Sequence, residues 1–172
     1  MTGNSNAIQI KVTLLGTEPA IWRRIVIPSA ISFFDLHHIL QISMGWKNSH
    51  LFEFHAGDYR IGYIDEEFED SDELADALVV QADLLLGKEK ATCIYVYDFG
   101  DRWNHALEVE AVEPANDRIL PVCIDGDLNC PPEDCGARSN GYLWLVVTNE
   151  LMRLRSFSSY CNEADILFFQ PH

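Results

Sequence analysis

A short stretch of the sequence, Tyr97-Asp-Phe-Gly-Asp-Arg-Trp-Asn-His105, contains several side chains capable of chemistry. Asp98 and Asp101 are three residues apart, and His105 follows four residues later. A tight turn would aim their oxygen and nitrogen atoms into one cleft, an arrangement that suits a divalent ion. In the simpler interpretation, the two carboxylates accept backbone N–H bonds within a hairpin turn in which Gly100 takes a positive φ. Both interpretations stay open on the sequence alone.

A second candidate site is the group of cysteines in the motif Cys130-Pro-Pro-Glu-Asp-Cys-Gly136, with Cys123 seven residues before it. Four residues separate Cys130 from Cys135, which is at the upper limit of the usual zinc-knuckle spacing. Zinc would need a fourth ligand from elsewhere in the chain, for which the candidates are His105, His50 and Cys161. The sequence therefore allows a structural zinc site.

The same cysteines have an alternative explanation as small buried apolar residues that hold a long loop against a sheet. The two prolines would fix the course of the loop, and Glu133 or Asp134 would cap nearby backbone groups. A thiol nucleophile formed by Cys130 and His105 is a further possibility, because an imidazolium lowers the pKa of a neighbouring thiol, but nothing in the spacing selects this pair.

Other polar and aromatic side chains could line a cleft or serve only the core. Arg23 and Arg24 are adjacent on a predicted strand, so they point to opposite faces, and one of them could pair with Asp98 or Asp101. His37 lies in a predicted helix, where a buried histidine commonly satisfies a hydrogen bond. Three tryptophans either fill the core or wall a ligand groove: Trp22, Trp46 and Trp103.

The composition limits the classes of partner. The 172 residues carry a formal net charge of -15. This charge repels DNA, RNA and anionic membranes, so it argues against direct nucleic-acid binding and favours neutral or basic partners. No apolar run is long enough to span a bilayer, and the sequence starts without a secretory signal, so we expect a cytoplasmic protein. Five cysteines in such a compartment indicate reduced thiols or a metal site.

Hydrophobic periodicity predicts one α+β domain over residues 1–172. We expect a mixed or antiparallel sheet of about five or six strands, packed by two main helices at Phe33–Met44 and 142–154. Ser32 and Asp35 form a potential capping box at the start of the first helix, and Gly45 would end it. Residues 65–76 are predicted to be a solvated acidic loop, residues 114–141 an irregular excursion, and the tail 156–172 is ambiguous.

Several patches together resemble the plasmid pRiA4b ORF-3-like family, in the family's order from about Ile8 to Leu154. They are Ile21-Trp-Arg-Arg24, Leu36-His37 with Met44-Gly-Trp46, His50-Leu-Phe-Glu-Phe54, Tyr97 to His105, and Cys123 with Cys130 to Gly136 and Gly141-Tyr142. The resemblance implies an association with plasmids and mobile elements, but no established activity. Some relatives carry a resolvase label, for which this acidic chain shows no serine-recombinase pattern. The family often has two glycines after the second cysteine of the motif, where this chain has Gly136-Ala137.

Three functional hypotheses follow. The first is a non-enzymatic module that binds a protein or a small molecule in a cleft near Arg23, His37, His50, Asp98, Asp101, Trp103 and His105. The second is a metal-dependent hydrolase or nuclease with its ion on Asp98, Asp101 and His105, assisted by His50 or Glu53. The third is a structural zinc domain on Cys123, Cys130 and Cys135.

Overall fold

The computed structural model describes residues 6–64 and 73–136, which form one sheet with two helices. The helices are α1 (Phe33–Met44) and α2 (Ala82–Leu86). The strands are β1 (Asn6–Leu14), β2 (Ile21–Pro28), β3 (Phe52–Ala56), β4 (Tyr59–Gly62), β5 (Leu74–Asp76), β6 (Thr92–Tyr97), β7 (Trp103–Pro114) and β8 (Val122–Asp127). Neither helix has the length and apolar character that crossing a membrane requires within this part of the chain.

The eight strands are ordered β5-β4-β3-β6-β7-β1-β2-β8 across the sheet. All neighbours are antiparallel except β4 and β5, which run parallel. The hairpins β1–β2, β3–β4 and β6–β7 join strands that are close in sequence, whereas β1 and β7 pair across most of the described chain, with Ile10 opposite Val109. The centre of the sheet is therefore made of distant segments.

The prediction of five or six strands under two main helices is wrong, because the described part of the chain is mostly sheet, with eight strands. Two strands were missed: β5 lies within the predicted acidic loop, and β8 lies within the predicted irregular excursion. Both are edge strands that bury little surface, so their sequences lack the apolar alternation that reveals a central strand. Only α1 is a long helix in the described part, since α2 has five residues. The helix predicted over 142–154 lies outside the described residues.

Helix α1 begins and ends where the sequence predicts. Ser32 Oγ accepts the backbone N–H of Asp35 at 3.0 Å, and the Asp35 carboxylate accepts the N–H of Ser32, which completes the capping box. Gly45 ends the helix with a left-handed φ of 77°. The apolar side of the helix is buried against the sheet, including Phe33, Leu36 and Leu40 at 0% exposure. The helix end is thereby fixed above one end of the sheet.

The two adjacent arginines of β2 serve opposite faces of the sheet, as alternation along a strand requires. Arg23 is buried on the side of α1, where its Nε–H donates to the carbonyl of Ser43 at 2.9 Å. Arg24 lies on the other face, where it pairs with Glu110 at 2.6 Å and with Asp125 at 2.8 Å. The side chain of Arg24 thus ties together three strands: β2, β7 and β8.

Two histidines, His37 and His105, lie in the core with 0% exposure. Burial lowers the pKa of His37 to about 3 and that of His105 to about 4. Neither ring nitrogen of His105 has an aligned hydrogen bond, although the carbonyls of Tyr95 and Trp103 are close enough to favour the protonated ring slightly. The ring instead packs edge-to-face with Trp46, their centroids 5.2 Å apart. Both histidines are therefore neutral in the folded protein at pH 7.

These lowered pKa values predict a loss of stability in acid. Between pH 6.5 and 4 the unfolded chain binds protons at both histidines, and the folded chain does not. The free energy of unfolding is therefore highest, with respect to these two groups, above pH 6.5, and it falls as the pH decreases. Replacing His105 with Leu removes one such site together with two unsatisfied nitrogens. From pH 7 to pH 5, we expect H105L to lose about 2 kcal/mol less unfolding free energy than the wild type. Urea denaturation at the two pH values measures this difference, and equal losses would contradict a neutral, buried His105.

Candidate functional site

Three loops meet at one end of the sheet, near the end of α1. The first is residues 45–51, which lead from α1 to β3; the second is residues 98–102, the turn between β6 and β7; and the third is residues 128–136, which follow β8. Gly45 and Asn48, with φ values of 77° and 57°, bend the first loop back across the sheet. The three loops contain half of the ten candidate side chains: His50, Asp98, Asp101, Cys130 and Cys135.

The third loop is held in place by hydrogen bonds to the first two. The indole N–H of Trp46 donates to the carbonyl of Pro131 at 2.7 Å, and the backbone N–H of Lys47 donates to Glu133 Oε2 at 3.1 Å. The hydroxyl of Tyr97, whose ring is fully buried, donates to the other oxygen of Glu133. Burial, reinforced by this hydrogen bond, raises the pKa of Tyr97. Glu133 therefore clamps the loop to the sheet by both of its oxygens.

The turn between β6 and β7 is built around Asp98, which is itself in the left-handed region with φ 57°. Its Oδ1 atom accepts the backbone N–H groups of Gly100 at 2.9 Å and Asp101 at 3.3 Å. The expectation that Gly100 takes a positive φ is wrong; Asp98 and Arg102 take it instead. Gly100 is needed for space, since a Cβ there would lie 3.1 Å from Asp98 Oδ1.

Asp101 joins this turn to the cysteine motif. Its Oδ2 atom accepts the backbone N–H of Gly136 at 3.1 Å, and Gly136 has a φ of 77° that a residue with a side chain rarely adopts. Asp98 thus accepts backbone N–H bonds within the turn, as the simpler interpretation of the sequence expects, whereas Asp101 accepts one from a different loop. The second oxygen of Asp98, Oδ2, faces the side chain of His50, whose Nε2 atom is 3.6 Å away.

Arg23 connects β2 to the end of β8 and to the loop that follows β8. In addition to Ser43, its Nη1 donates to the carbonyls of Trp22 at 2.8 Å and Asp127 at 3.1 Å, and its Nη2 lies 3.7 Å from Cys130 Sγ. Charge-assisted bonds to carbonyls compensate for the burial of the guanidinium. Arg23 is consequently a supporting residue as well as part of a cavity wall.

A cavity of about 430 Å³ lies between these segments. Arg23 and Trp46 contribute to its inner wall, and both are buried. It combines apolar surface with two cationic and two anionic side chains: Arg23, Lys47, Glu133 and Asp134. Its remaining lining residues are Met44, Gly45, Ser49, Asn129, Cys130, Pro131 and Pro132. The volume lies in the range of small-molecule sites.

His50, Asp98 and Asp134 lie beside this cavity and form a group of potential metal ligands. One ligand atom of each lies within 4.8 Å of the other two, and no other group of three such residues occurs within 6–64 and 73–136. His50 Nε2 is 3.0 Å from Asp134 Oδ1 and 3.6 Å from Asp98 Oδ2. The side chains of His50, Asp98 and Asp134 are 29%, 10% and 72% exposed.

His37 lies behind the first loop and holds it by a chain of buried hydrogen bonds. Its Nδ1 pairs with the hydroxyl of Tyr95 at 2.7 Å and its Nε2 with Asn48 Oδ1 at 2.7 Å. Gln41 completes the network by donating to the Tyr95 hydroxyl and accepting the N–H of Asn48. Because Asn48 Oδ1 can only accept, Nε2 of His37 carries the proton and Nδ1 accepts from Tyr95. The network sets the position of the loop that carries His50.

The structure does not bring His105 together with Asp98 and Asp101. His105 is enclosed in the core, beside the buried ring of Trp103, and the ligand group at the loops contains His50 and Asp134 in its place. Glu53, considered as an extra ligand, pairs with Arg60 at 2.5 Å and His55 at 3.2 Å on β3 and β4. The metal ligands that sequence spacing suggested thus differ from those that share one site.

The three cysteines likewise do not gather into a ligand set with His105 within the described residues. Cys123 and Cys130 pack against the hydrophobic core, and Cys135 is exposed. Burial raises the pKa of Cys130 to about 11 despite the nearby charge of Arg23, which opposes thiolate formation and hence nucleophilic chemistry. Cys161 lies outside the described residues.

Some residues of the site escaped the sequence analysis. Lys47 and Asn129 line the cavity, and Asn48 anchors the loop of His50, yet none of them stands in a recognisable motif. For Glu133 and Asp134 the sequence predicts only the capping of backbone groups. The signal that identified Glu133 was its place in the cysteine motif, and its acceptance of the Lys47 N–H agrees with that assignment.

The clamp on Glu133 predicts that the hydroxyl of Tyr97 stabilises the fold. Tyr97→Phe leaves Glu133 without one donor and the N–H of Ser49 without its acceptor at 2.9 Å. We expect a loss of about 1–3 kcal/mol in the free energy of unfolding, measured by urea denaturation. Tyr59→Phe is the matched control, since Tyr59 is 62% exposed and should tolerate the change. Equal stability of the two variants would contradict the clamp.

Comparison with known proteins places this arrangement in a family. The chain is 39% identical to "Uncharacterized protein y4hQ" of Sinorhizobium fredii (strain NBRC 101917 / NGR234) over 133 residues, which cover 77% of this chain and 68% of that protein. The crystal structure of the protein of unknown function MM3350 from Methanosarcina mazei Go1 is similar with a TM-score of 0.75 and 28% identity, covering 95% of this chain and 98% of that one. The family model for the plasmid pRiA4b ORF-3-like protein matches residues 6–149. The resemblance found in the sequence motifs is thus confirmed, and the chain belongs to the plasmid pRiA4b ORF-3-like family.

Proposed function

We propose that this protein is a binding module whose site is the cavity between Trp46 and the loop of residues 128–136. The observation that carries the proposal is the cavity itself, about 430 Å³ in volume and walled by an aromatic ring, prolines and charged side chains. Ligand sites typically combine such apolar walls with a few oriented polar groups. The association with mobile elements, which the family resemblance implies, is part of this proposal.

The walls of the cavity are organised before any ligand arrives. The Trp46 indole is fixed by its hydrogen bond to Pro131, and Arg23 is fixed by carbonyls of three different residues: Trp22, Ser43 and Asp127. A preformed site loses little conformational entropy on binding, so a modest number of contacts can give useful affinity.

The charges favour a ligand with a positively charged group, such as the guanidinium of an arginine side chain. Arg23 already directs its guanidinium at backbone carbonyls and at Cys130, so it is poorly placed to attract an anion. The carboxylate of Asp134, which is 72% exposed, lines the cavity, and Asp98 lies beside it. The net charge of -15 adds a long-range attraction for a cationic partner.

The proposal is tested by NMR titration with two blocked tripeptides, Ac-Gly-Arg-Gly-NH2 and Ac-Gly-Glu-Gly-NH2. We expect the arginine peptide to shift the indole N–H resonance of Trp46 in a saturable manner and the glutamate peptide to leave it unchanged. A Trp46→Phe spectrum assigns the resonance. Shifts from neither peptide, or equal shifts from both, would contradict a site for a cationic group.

A variant that fills the cavity supplies the matched control. Asn129→Phe places a ring in the space that Asn129 lines, so we expect it to abolish the shift caused by the arginine peptide. Asn6→Phe makes the same change at an exposed position at the start of β1, outside the cavity lining, and should bind as the wild type does. Binding by N129F at wild-type strength would place the ligand elsewhere on the protein.

A further inference from the structure

We propose that His50, Asp98 and Asp134 bind a divalent transition-metal ion such as zinc at the rim of the cavity. The three residues come from the three different loops that meet at this end of the sheet. The ion would share Asp98 and Asp134 with the anionic side of the proposed binding site, so the two proposals are tested apart: with Zn²⁺ alone here, and with metal-free protein in the peptide titration.

The separations between the ligand atoms fit a metal polyhedron. An ion about 2.0–2.2 Å from a nitrogen and an oxygen ligand holds these two atoms roughly 2.9–3.6 Å apart, depending on the angle between the bonds. His50 Nε2 is 3.0 Å from Asp134 Oδ1 and 3.6 Å from Asp98 Oδ2, which spans this range. Asp134 is 72% exposed, so its side chain can adjust to complete the geometry.

The nitrogen of His50 supplies an independent observation. Its Nε2 atom is shielded from solvent and has no aligned hydrogen bond, although it faces two carboxylate oxygens. A ring nitrogen shielded from solvent ordinarily makes an aligned hydrogen bond, whereas this one makes only the ion-pair contacts to Asp134 and Asp98. A cation between the three side chains would satisfy the nitrogen lone pair and both carboxylates at once.

The surrounding structure orients two of the ligands. Asp98 Oδ1 accepts two backbone N–H groups, so Oδ2 is left pointing toward His50. The buried chain from His37 to Asn48 fixes the loop that ends at His50. Such supporting hydrogen bonds are usual behind metal ligands, where they hold the ligands in position.

The donor set indicates the class of ion. Two carboxylates and one neutral imidazole balance the charge of a divalent ion, and the imidazole favours zinc, copper, nickel or iron over magnesium, calcium and manganese, which prefer oxygen ligands. Three protein ligands leave at least one coordination position open for water. Because Asp134 also lines the cavity, this open position lies next to the proposed binding site.

The test is calorimetric titration of the chelator-treated full chain with Zn²⁺, followed by absorption spectroscopy with Co²⁺. We expect one equivalent to bind, with a cobalt spectrum of nitrogen and oxygen ligation. His50→Gln and Asp98→Asn should each weaken binding by at least about 10-fold. His55→Gln is the control, because His55 also faces a carboxylate, Glu53 at 3.2 Å, yet belongs to no group of three ligands within the described residues. The H55Q variant should bind Zn²⁺ with the affinity of the wild type.

A third variant separates loss of the ion from loss of the fold. Asp134→Asn changes an exposed side chain, and asparagine tolerates the left-handed φ of 58° at this position. It should keep the wild-type circular dichroism spectrum and still bind Zn²⁺ more weakly. The proposal is overturned if the wild type takes up no Zn²⁺, or if H50Q, D98N and D134N all bind it as strongly as H55Q does.

Discussion

The candidate site depends on the attachment of one loop, residues 128–136, to the end of the sheet. Glu133 accepts from Tyr97 and from Lys47, Pro131 accepts from Trp46, and Asp101 accepts from Gly136. Each of these bonds joins the loop to a different part of the molecule, and together they position Glu133 and Asp134. The wall of the cavity and the ligand group of His50, Asp98 and Asp134 therefore depend on these bonds, because both include residues of this loop.

The buried polar residues beneath this loop divide into two kinds with different consequences. His37 belongs to a satisfied network, so burial costs it little and its hydrogen bonds give the first loop a single position. His105 is enclosed by aromatic rings without aligned hydrogen-bond partners, so it fixes no other element of the structure. Two histidines that look equivalent as candidates thus have different roles, because one connects elements and the other only occupies space.

Local signals in the sequence predicted local structure well. The capping box at Ser32 and the glycine that ends α1 appear in the structure because each depends on residues close in the chain, and the alternation in β1 appears because one face of that strand is buried in the core. The edge strands β5 and β8 were not predicted, since an edge strand is defined by the neighbour it pairs with rather than by its own apolar pattern. The site has the same limitation, because tertiary contacts rather than sequence spacing bring its residues together. Spacing grouped Asp98 with His105, whereas the tertiary fold brought Asp98 to His50 and Asp134, residues 48 and 36 positions away in the chain.

The pairing of β1 with β7 at the centre of the sheet has a consequence for the order of folding. Closing a contact between positions as distant as Ile10 and Val109 carries a large loop-entropy cost, and sheets rich in such contacts fold slowly. The hydrogen bond from Trp46 to Pro131 spans a similar length of chain. A ribosome must therefore release the chain beyond residue 136 before the cavity can form, whereas helix α1 can pack earlier on strands of the first half, as Phe33 does against Phe54 of β3.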